Sequence, residues 1–218
     1  MILAVVASLS ATAAIEIPTL FNTGVNSSGA PLPNGTIGDP HYTLMFVPDG
    51  STTDLVIRTS VGGWPIPPYI GDDSKSAWIT PNDSLVNNLP YSPVGTYDYR
   101  TTFDLTGFNL ASVSIKGGWS TDNNGVSILL NGIDTGNPGT SFTQFATGLA
   151  PFTISSGFRT GINTLDFIVD NGDCGGCQNP TALRVEMSGT ATPEPSTLLM
   201  LGSGVLGLAG VIRRRLSL

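Results

Sequence analysis

The sequence predicts an all-β protein, an antiparallel β-sandwich, from its composition, its hydrophobic period and its turn residues. Glycine and proline account for 27 and 16 of the 218 residues, whereas only 11% of the residues are charged. Helical bundles and coiled coils are excluded, because they need long Ala, Leu, Glu and Lys stretches that this chain lacks. Between residues 40 and 188 the apolar residues alternate with a period of two, which is typical of half-buried strands.

The alternation is clearest where Tyr97, Tyr99 and Phe103 share one face of a predicted strand. Asn131-Gly132 predicts a hairpin turn, because a type I′ turn needs positive φ at both central residues. No internal repeat is visible, which argues against a propeller or a solenoid. About nine strands are predicted in all, at 42–47, 55–59, 77–80, 97–105, 113–119, 126–130, 152–154, 165–169 and 183–187.

The body of the chain is acidic. The net charge is −7 and the isoelectric point about 4.4, and three of the nine basic residues are the terminal cluster Arg213, Arg214 and Arg215. A protein that follows the phosphates of a nucleic acid needs the opposite balance. A nucleic-acid partner is therefore excluded.

Residues 1–14 predict a signal peptide. An apolar run ends in Ala11-Thr12-Ala13, the small-x-small pattern that signal peptidase accepts. A buried first strand is the alternative, but the polar, proline-containing segment from Ile15 onward favours the signal. Because no basic residue precedes the apolar run, either the true start lies upstream or Met1 is internal to the signal.

Residues 198–212 predict a short hydrophobic helix. The run carries no charge and contains four glycines, and the arginine cluster 213–215 follows it at once. As a helix it would span about 22 Å, less than the roughly 30 Å of a hydrocarbon core, so it is a marginal anchor. The positive-inside rule places the arginines in the cytoplasm and the acidic body outside.

The segment Pro193-Glu194-Pro195-Ser196-Thr197 stands directly before that run. A Pro-Glu-Pro motif, a short glycine-rich hydrophobic helix and an arginine cluster, in that order over residues 193–218, resemble the tail of the PEP-CTERM proteins of Gram-negative bacteria. The resemblance implies a sorting signal read by a membrane-embedded exosortase, with the tail then removed or exchanged. A plain transmembrane anchor explains the helix and the arginines but not the Pro-Glu-Pro.

The body, residues 15–192, also resembles a known fold. The stretches 99–105, 128–132, 152–154 and 161–165, with their order of strands and turns, resemble the galactose-binding-like jelly roll found in many exported bacterial proteins. The resemblance covers roughly residues 95–188, and it implies a jelly-roll sandwich more strongly than any one ligand.

The sequence gives little support for catalysis. His41 is the single histidine of the chain, and no G-x-S-x-G is present, so no Ser-His-Asp constellation is indicated. A glycosidase needs two carboxylates across a cleft, and no motif selects such a pair. We therefore predict a protein that is not an enzyme, with a glycoside hydrolase as the third function considered.

Cys174 and Cys177 enclose two glycines in a predicted loop. In an exported protein we expect them to form a disulfide. A zinc site needs four ligands, and no second cysteine pair exists. A redox role needs a helix after the first cysteine, and none is predicted.

Aromatic, amide and carboxylate groups in two predicted loops are the candidates for carbohydrate binding. A sugar ring can stack on an aromatic side chain, while amide and carboxylate oxygens bind its hydroxyl groups. The alternatives are core packing for the tryptophans, and ordinary turns or a structural Ca²⁺ site for the polar residues. No cofactor is predicted. The candidates are Trp64 and Tyr69 in the first loop and Trp119, Asp122, Asn123 and Asn124 in the second.

Together these features predict an exported protein of the cell envelope or extracellular matrix, transiently anchored in the inner membrane with its C-terminus in the cytoplasm. Weak binding of exopolysaccharide is the predicted activity. The rival is a structural or adhesive matrix protein without a small ligand.

Overall fold

The computed structural model describes residues 13–48, 54–57, 69–71, 73–81, 85–86, 89–90, 92–173, 175, 179–194, 204 and 207. Every predicted strand coincides with an observed one. A 3₁₀ turn (Leu110–Ser112) and a short helix, α1 (Gln144–Thr147), lie between strands. The strands in chain order are β1 (Ile15–Glu16), β2 (Tyr42–Phe46), β3 (Asp54–Ile57), β4 (Trp78–Pro81), β5 (Leu85–Val86), β6 (Leu89–Pro90), β7 (Gly95–Asp104), β8 (Ser114–Asp122), β9 (Asn124–Leu130), β10 (Ile133–Asp134), β11 (Ala150–Ile154), β12 (Ile162–Asn171) and β13 (Ala182–Ala191).

The strands form two antiparallel sheets that pack face to face, so the predicted β-sandwich is confirmed. Sheet 1 has the order β11-β8-β13-β4-β3, with β1 paired to the end of β13. Sheet 2 has the order β10-β9-β12-β7-β2, and β5 pairs with β6 apart from both. In each sheet most neighbouring strands are far apart in sequence, so the sandwich depends on long-range pairing.

The core lies between the two sheets and follows the predicted alternation. Phe167 of β12 is its centre, with ring centroids 5.8 Å from Trp119 of β8 and 6.0 Å from Phe152 of β11. All three side chains are buried. Because Phe167 belongs to sheet 2 and the other two to sheet 1, these aromatic contacts hold the sheets together.

The hairpin predicted from Asn131-Gly132 is present between β9 and β10. Asn131 has φ of 53° and Gly132 has φ of 81°, and Leu130 lies opposite Ile133 across the turn. The Asn131 side chain also binds the β12 strand, accepting from Thr164 N at 3.1 Å. The turn therefore fixes both the hairpin and its place beside β12.

The second predicted loop, which was expected to hold Trp119, Asp122, Asn123 and Asn124, is shorter than predicted. β8 continues to Asp122 and β9 begins at Asn124, so Asn123 alone separates them. β8 belongs to sheet 1 and β9 to sheet 2. The residues expected to form a loop therefore lie on two strands, at the point where the chain passes from one sheet to the other.

The two ends of the body meet at one edge of β13. Ile15 lies opposite Ala191 and Glu16 opposite Thr190. The end of the predicted signal peptide and the start of the predicted sorting tail are therefore neighbours.

Most of the predicted hydrophobic segment 198–212 lies outside the described residues, apart from Gly204 and Gly207. Within the described part of the chain, no helix is both long and apolar enough to cross a membrane. The expected transmembrane helix thus stays a prediction.

Candidate functional site

One half of the outer face of sheet 1 is covered by residues 69–71, here called the strap. The Ile70 N–H donates to the Phe145 carbonyl of α1 at 2.7 Å, and the Ile70 carbonyl accepts from the Trp78 indole at 3.3 Å. The Tyr69 ring stacks on Phe145 with centroids 4.7 Å apart and meets the Trp78 ring at 5.2 Å. The strap thereby buries Trp78 completely.

Arg184 of β13 ties the strap to the sheet. Its side chain is 2% exposed. Nη1 donates to the Gly71 carbonyl of the strap at 2.6 Å, and Nε donates to Ser76 Oγ at 2.7 Å. Nη2 lies 3.0 Å from both Glu186 Oε1 and Asp73 Oδ2. The guanidinium is thus satisfied by charged and polar partners from the strap, the segment before β4 and β13 itself.

Three of the predicted carbohydrate-binding residues, Tyr69, Asp122 and Asn123, meet where the strap contacts the end of β8. The Tyr69 hydroxyl donates to Asp122 Oδ2, and Asn123 Nδ2 donates to Asp122 Oδ1 at 3.0 Å. Both carboxylate oxygens therefore have partners within the protein, and the Tyr69 ring packs against Phe145 and Trp78. This arrangement fixes the strap.

Burial raises the pKa of Asp122 to about 6, and the hydrogen bond from Tyr69 opposes that rise. The side chain lies in the protein interior, with 4% of the residue exposed. A carboxylate in such a place resists ionisation because it loses its hydration.

The predicted role of Trp119 in sugar stacking is wrong. Trp119 is 0% exposed and belongs to the core between the sheets. Its position in β8 puts it on the same face as Ile115, which points inward. The ring therefore has no face open to a sugar.

Of the other residues singled out in the sequence, Asn124 lies within the described part of the structure and several lie outside it. Asn124 is half-buried at the start of β9, opposite Asp170 of β12, on the sheet 2 side of the crossover. Outside the described residues lie Trp64, Cys174, Cys177, Pro195, Arg213, Arg214 and Arg215.

The half of the outer face that the strap leaves open forms a groove of about 550 Å³, here called the outer groove. Its lining includes Lys75, Lys116, Gly118, Pro151, Glu186 and Ser188. The floor follows β8 and β13, where Lys116 lies opposite Ser188 and Gly118 opposite Glu186. None of its lining residues is among the site residues predicted from the sequence.

Carboxylates at the outer groove do not have the spacing of a glycosidase pair. Asp73 and Glu186 share a hydrogen bond, whereas glycosidases hold their two carboxyl groups about 5 Å or more apart. Burial raises the pKa of Asp73, but this rise is outweighed. Its hydrogen bond with Glu186, the charge of Arg184 and the backbone of Lys75 and Ser76 lower the pKa below its usual value.

In the described part of the chain no three His, Cys, Asp or Glu side chains cluster in a way that would hold a metal ion.

Residues 191–215 match the family model described as the PEP-CTERM protein-sorting motif. The resemblance seen in the tail is therefore confirmed, and the chain carries a sorting signal of this kind. Such a signal indicates an exported protein that is sorted by an exosortase and carries a C-terminal membrane-anchoring segment.

The likeness of the body to a solved structure is weaker than the match of the tail. Among solved structures the chain is similar to CBM35 from Paenibacillus barcinonensis, with 14% sequence identity, a TM-score of 0.34, and coverage of 71% of this chain and 98% of that one. At this TM-score the likeness carries no argument about ligand or site. No curated protein matches the sequence.

The strap should depend on Arg184. Replacing Arg184 by Met removes the donor from Gly71 and Ser76 and leaves Glu186 and Asp73 without their cation. We expect the free energy of unfolding to fall by about 3 kcal/mol, measured by urea denaturation. The exposed Arg159→Met variant, as control, should change it by less than about 0.5 kcal/mol. Equal stability of the two variants would contradict this role of Arg184.

Asp122 should make stability depend on pH. A carboxyl whose pKa is raised in the folded state binds its proton more tightly there, so stability falls as pH rises from about 4 to about 6. Asp122→Asn should therefore be more stable than the wild type by about 1–2 kcal/mol at pH 7.5, with no gain at pH 4. The Asn123 amide can rotate to offer the new amide its Oδ1, which has no partner among the described residues.

The matched control is Asp170→Asn, which removes the same charge from a half-exposed position of β12. Burial followed by the charge of Asp166 raises the pKa of Asp98 to about 6 despite the opposing charge of Arg100. Asp98 should therefore keep part of the pH dependence in the Asp122 variant. A gain for Asp122→Asn that is the same at pH 4 and pH 7.5 argues against the assignment.

Proposed function

We propose that this chain is an exported, non-catalytic protein of the bacterial cell surface whose β-sandwich binds a polysaccharide along the outer groove. The sorting motif supports placement at the surface, because exosortase substrates leave the cytoplasm. The exosortase is the expected partner of residues 193–218, and an exopolysaccharide that of the sandwich.

The observation that carries the proposal is the outer groove itself. The groove is open to solvent and runs along two paired strands, so it suits a segment of a long chain better than an enclosed small molecule. Leu149 and Pro151 give it apolar surface, and Ser188 and Asn22 add polar groups. A pyranose has the same two kinds of surface, with apolar faces and polar edges.

Hydrogen bonds within the protein hold several residues of the groove in place. Asn22 Oδ1 accepts from Met187 N at 2.7 Å, and Asn22 Nδ2 donates to the Lys75 carbonyl at 3.1 Å. The Arg184 network holds Glu186 in place. When a groove is preformed, binding loses little free energy to the ordering of side chains. This matters for a shallow site, for which we expect a dissociation constant of about 10⁻⁵–10⁻³ M.

A structural or adhesive role without a glycan is the second candidate. It is favoured by Met45 and Phe46, which are 49% and 59% exposed. Both belong to β2, an edge strand of sheet 2. Exposed apolar side chains on an edge strand are a typical contact surface between proteins.

The test fills the outer groove without changing its charge. Ser188 is exposed on the outer face of β13, so Ser188→Trp places a large ring in the groove. In affinity electrophoresis of the full chain with a panel of soluble polysaccharides, this variant should bind at least about tenfold more weakly, a loss of about 1.4 kcal/mol.

Thr102→Trp is the matched control, since Thr102 is exposed on the outer face of sheet 2. It should bind as the wild type does. If no polysaccharide retards the wild-type chain, or if Ser188→Trp binds unchanged while folded, the groove is not a glycan site and the structural role becomes the better account.

A further inference from the structure

We propose that the outer groove selects anionic polysaccharides, those that carry carboxylate or sulfate groups; this inference rests on the proposed function. The sequence contains two lysines, Lys75 and Lys116, in a chain of net charge −7. Both are exposed and both line the outer groove. An acidic protein thus places both of its lysines in one open groove.

The two lysines flank the same strand. Lys116 of β8 lies directly opposite Ser188 of β13. Lys75 lies beyond β13 on the other side, where Asn22 links its carbonyl to the backbone of Met187. Adjacent strands are about 4.8 Å apart, so a saccharide chain lying along β13 comes within reach of both ammonium groups.

Neither lysine is neutralised within the described part of the protein. The ion pairs found among the described residues involve Arg100 and Arg184. The acidic side chains nearest the groove, Asp73 and Glu186, are already engaged by Arg184. The ammonium groups are therefore available to an anion from outside, and salt should weaken that contact.

The test compares two polymers that share one sugar backbone, one with charged and one with neutral carboxyl groups. Polygalacturonate carries a carboxylate on every sugar, whereas its fully methyl-esterified form is neutral. By affinity electrophoresis of the full chain, polygalacturonate should bind at least tenfold more tightly than the ester, and the difference should shrink at high salt. The Lys75→Gln/Lys116→Gln double variant should lose that preference, while Arg159→Gln, which removes one positive charge at an exposed site outside the groove, should keep it.

The outcomes separate this inference from the proposed function. Equal binding of both polymers, still weakened by Ser188→Trp, overturns the anionic preference and leaves the glycan groove standing. A preference that the double variant retains also overturns it. Binding that Ser188→Trp leaves unchanged overturns both, because the polymer then lies elsewhere.

The first residues of the matched motif are docked on the turn at 107–112. Thr192 N donates to Ser112 Oγ at 2.8 Å, and the Thr192 carbonyl accepts from Asn109 N at 2.8 Å. Glu194 N donates to the Gly107 carbonyl at 2.8 Å. Pro193 lies opposite Phe108 in an isolated bridge.

We infer that this docking shields the start of the Pro-Glu-Pro segment, Pro193 and Glu194, from the sorting enzyme. An enzyme that reads an extended peptide needs access to its backbone, and here the backbone of Glu194 is bonded to the folded body. No spacer separates that bond from Pro195. The tail must therefore leave the turn at 107–112 before it enters an active site, which makes the contact autoinhibitory.

The test measures the rate of tail processing by pulse–chase of the full chain in a host that carries an exosortase. Ser112→Ala removes two bonds to Thr192, and a Gly-Ser-Gly-Ser insertion between Thr192 and Pro193 frees the motif while leaving β13 whole. Both should raise the initial rate at least threefold. Ser114→Ala, two residues along the same segment, is the control and should process at the wild-type rate. Unchanged or slower processing of the insertion variant overturns the inference.

Discussion

The arrangement of the outer face of sheet 1 depends on one buried cation. Arg184 is almost fully enclosed, and a guanidinium removed from water is tolerated only where its charge and its donors are satisfied. Gly71, Ser76, Asp73 and Glu186 meet that requirement. Since these partners come from separate stretches of chain, satisfying Arg184 brings the strap, the segment before β4 and β13 into one arrangement.

The same constraint divides the outer face into a covered half and an open half. On the side of Gly71 the strap covers the sheet, and Tyr69 and Asp122 are engaged in holding it down. On the side of Glu186 the sheet stays open, and Lys75 and Lys116 line the outer groove there. Aromatic rings therefore stabilise the covered half, whereas charge and hydrogen-bonding groups characterise the open one. This division explains why the expected aromatic sugar platform and the observed groove lie in different places.

Local pattern was enough to predict the strands, the Asn131-Gly132 turn and the sorting tail, because each depends on residues close together in sequence. Trp119 shows the limit. Its alternation with Ile115 indicated an inward side chain, while its neighbours suggested a polar loop, and only the pairing of β8 with β13 as far as Asp122 decides between them. Lys75 and Lys116 converge through strands far apart in sequence, so no local signal could reveal the groove.

A polysaccharide that occupies the outer groove, as we propose, leaves the Asp122–Asn124 crossover free. The most direct measurement is an NMR titration of the ¹⁵N-labelled full chain with an oligomer of galacturonic acid. The account predicts that the amide resonances of Lys116, Gly118 and Ser188 shift together and saturate with one affinity. Shifts confined to Asn123 and Asn124, with those of the groove unmoved, would contradict it.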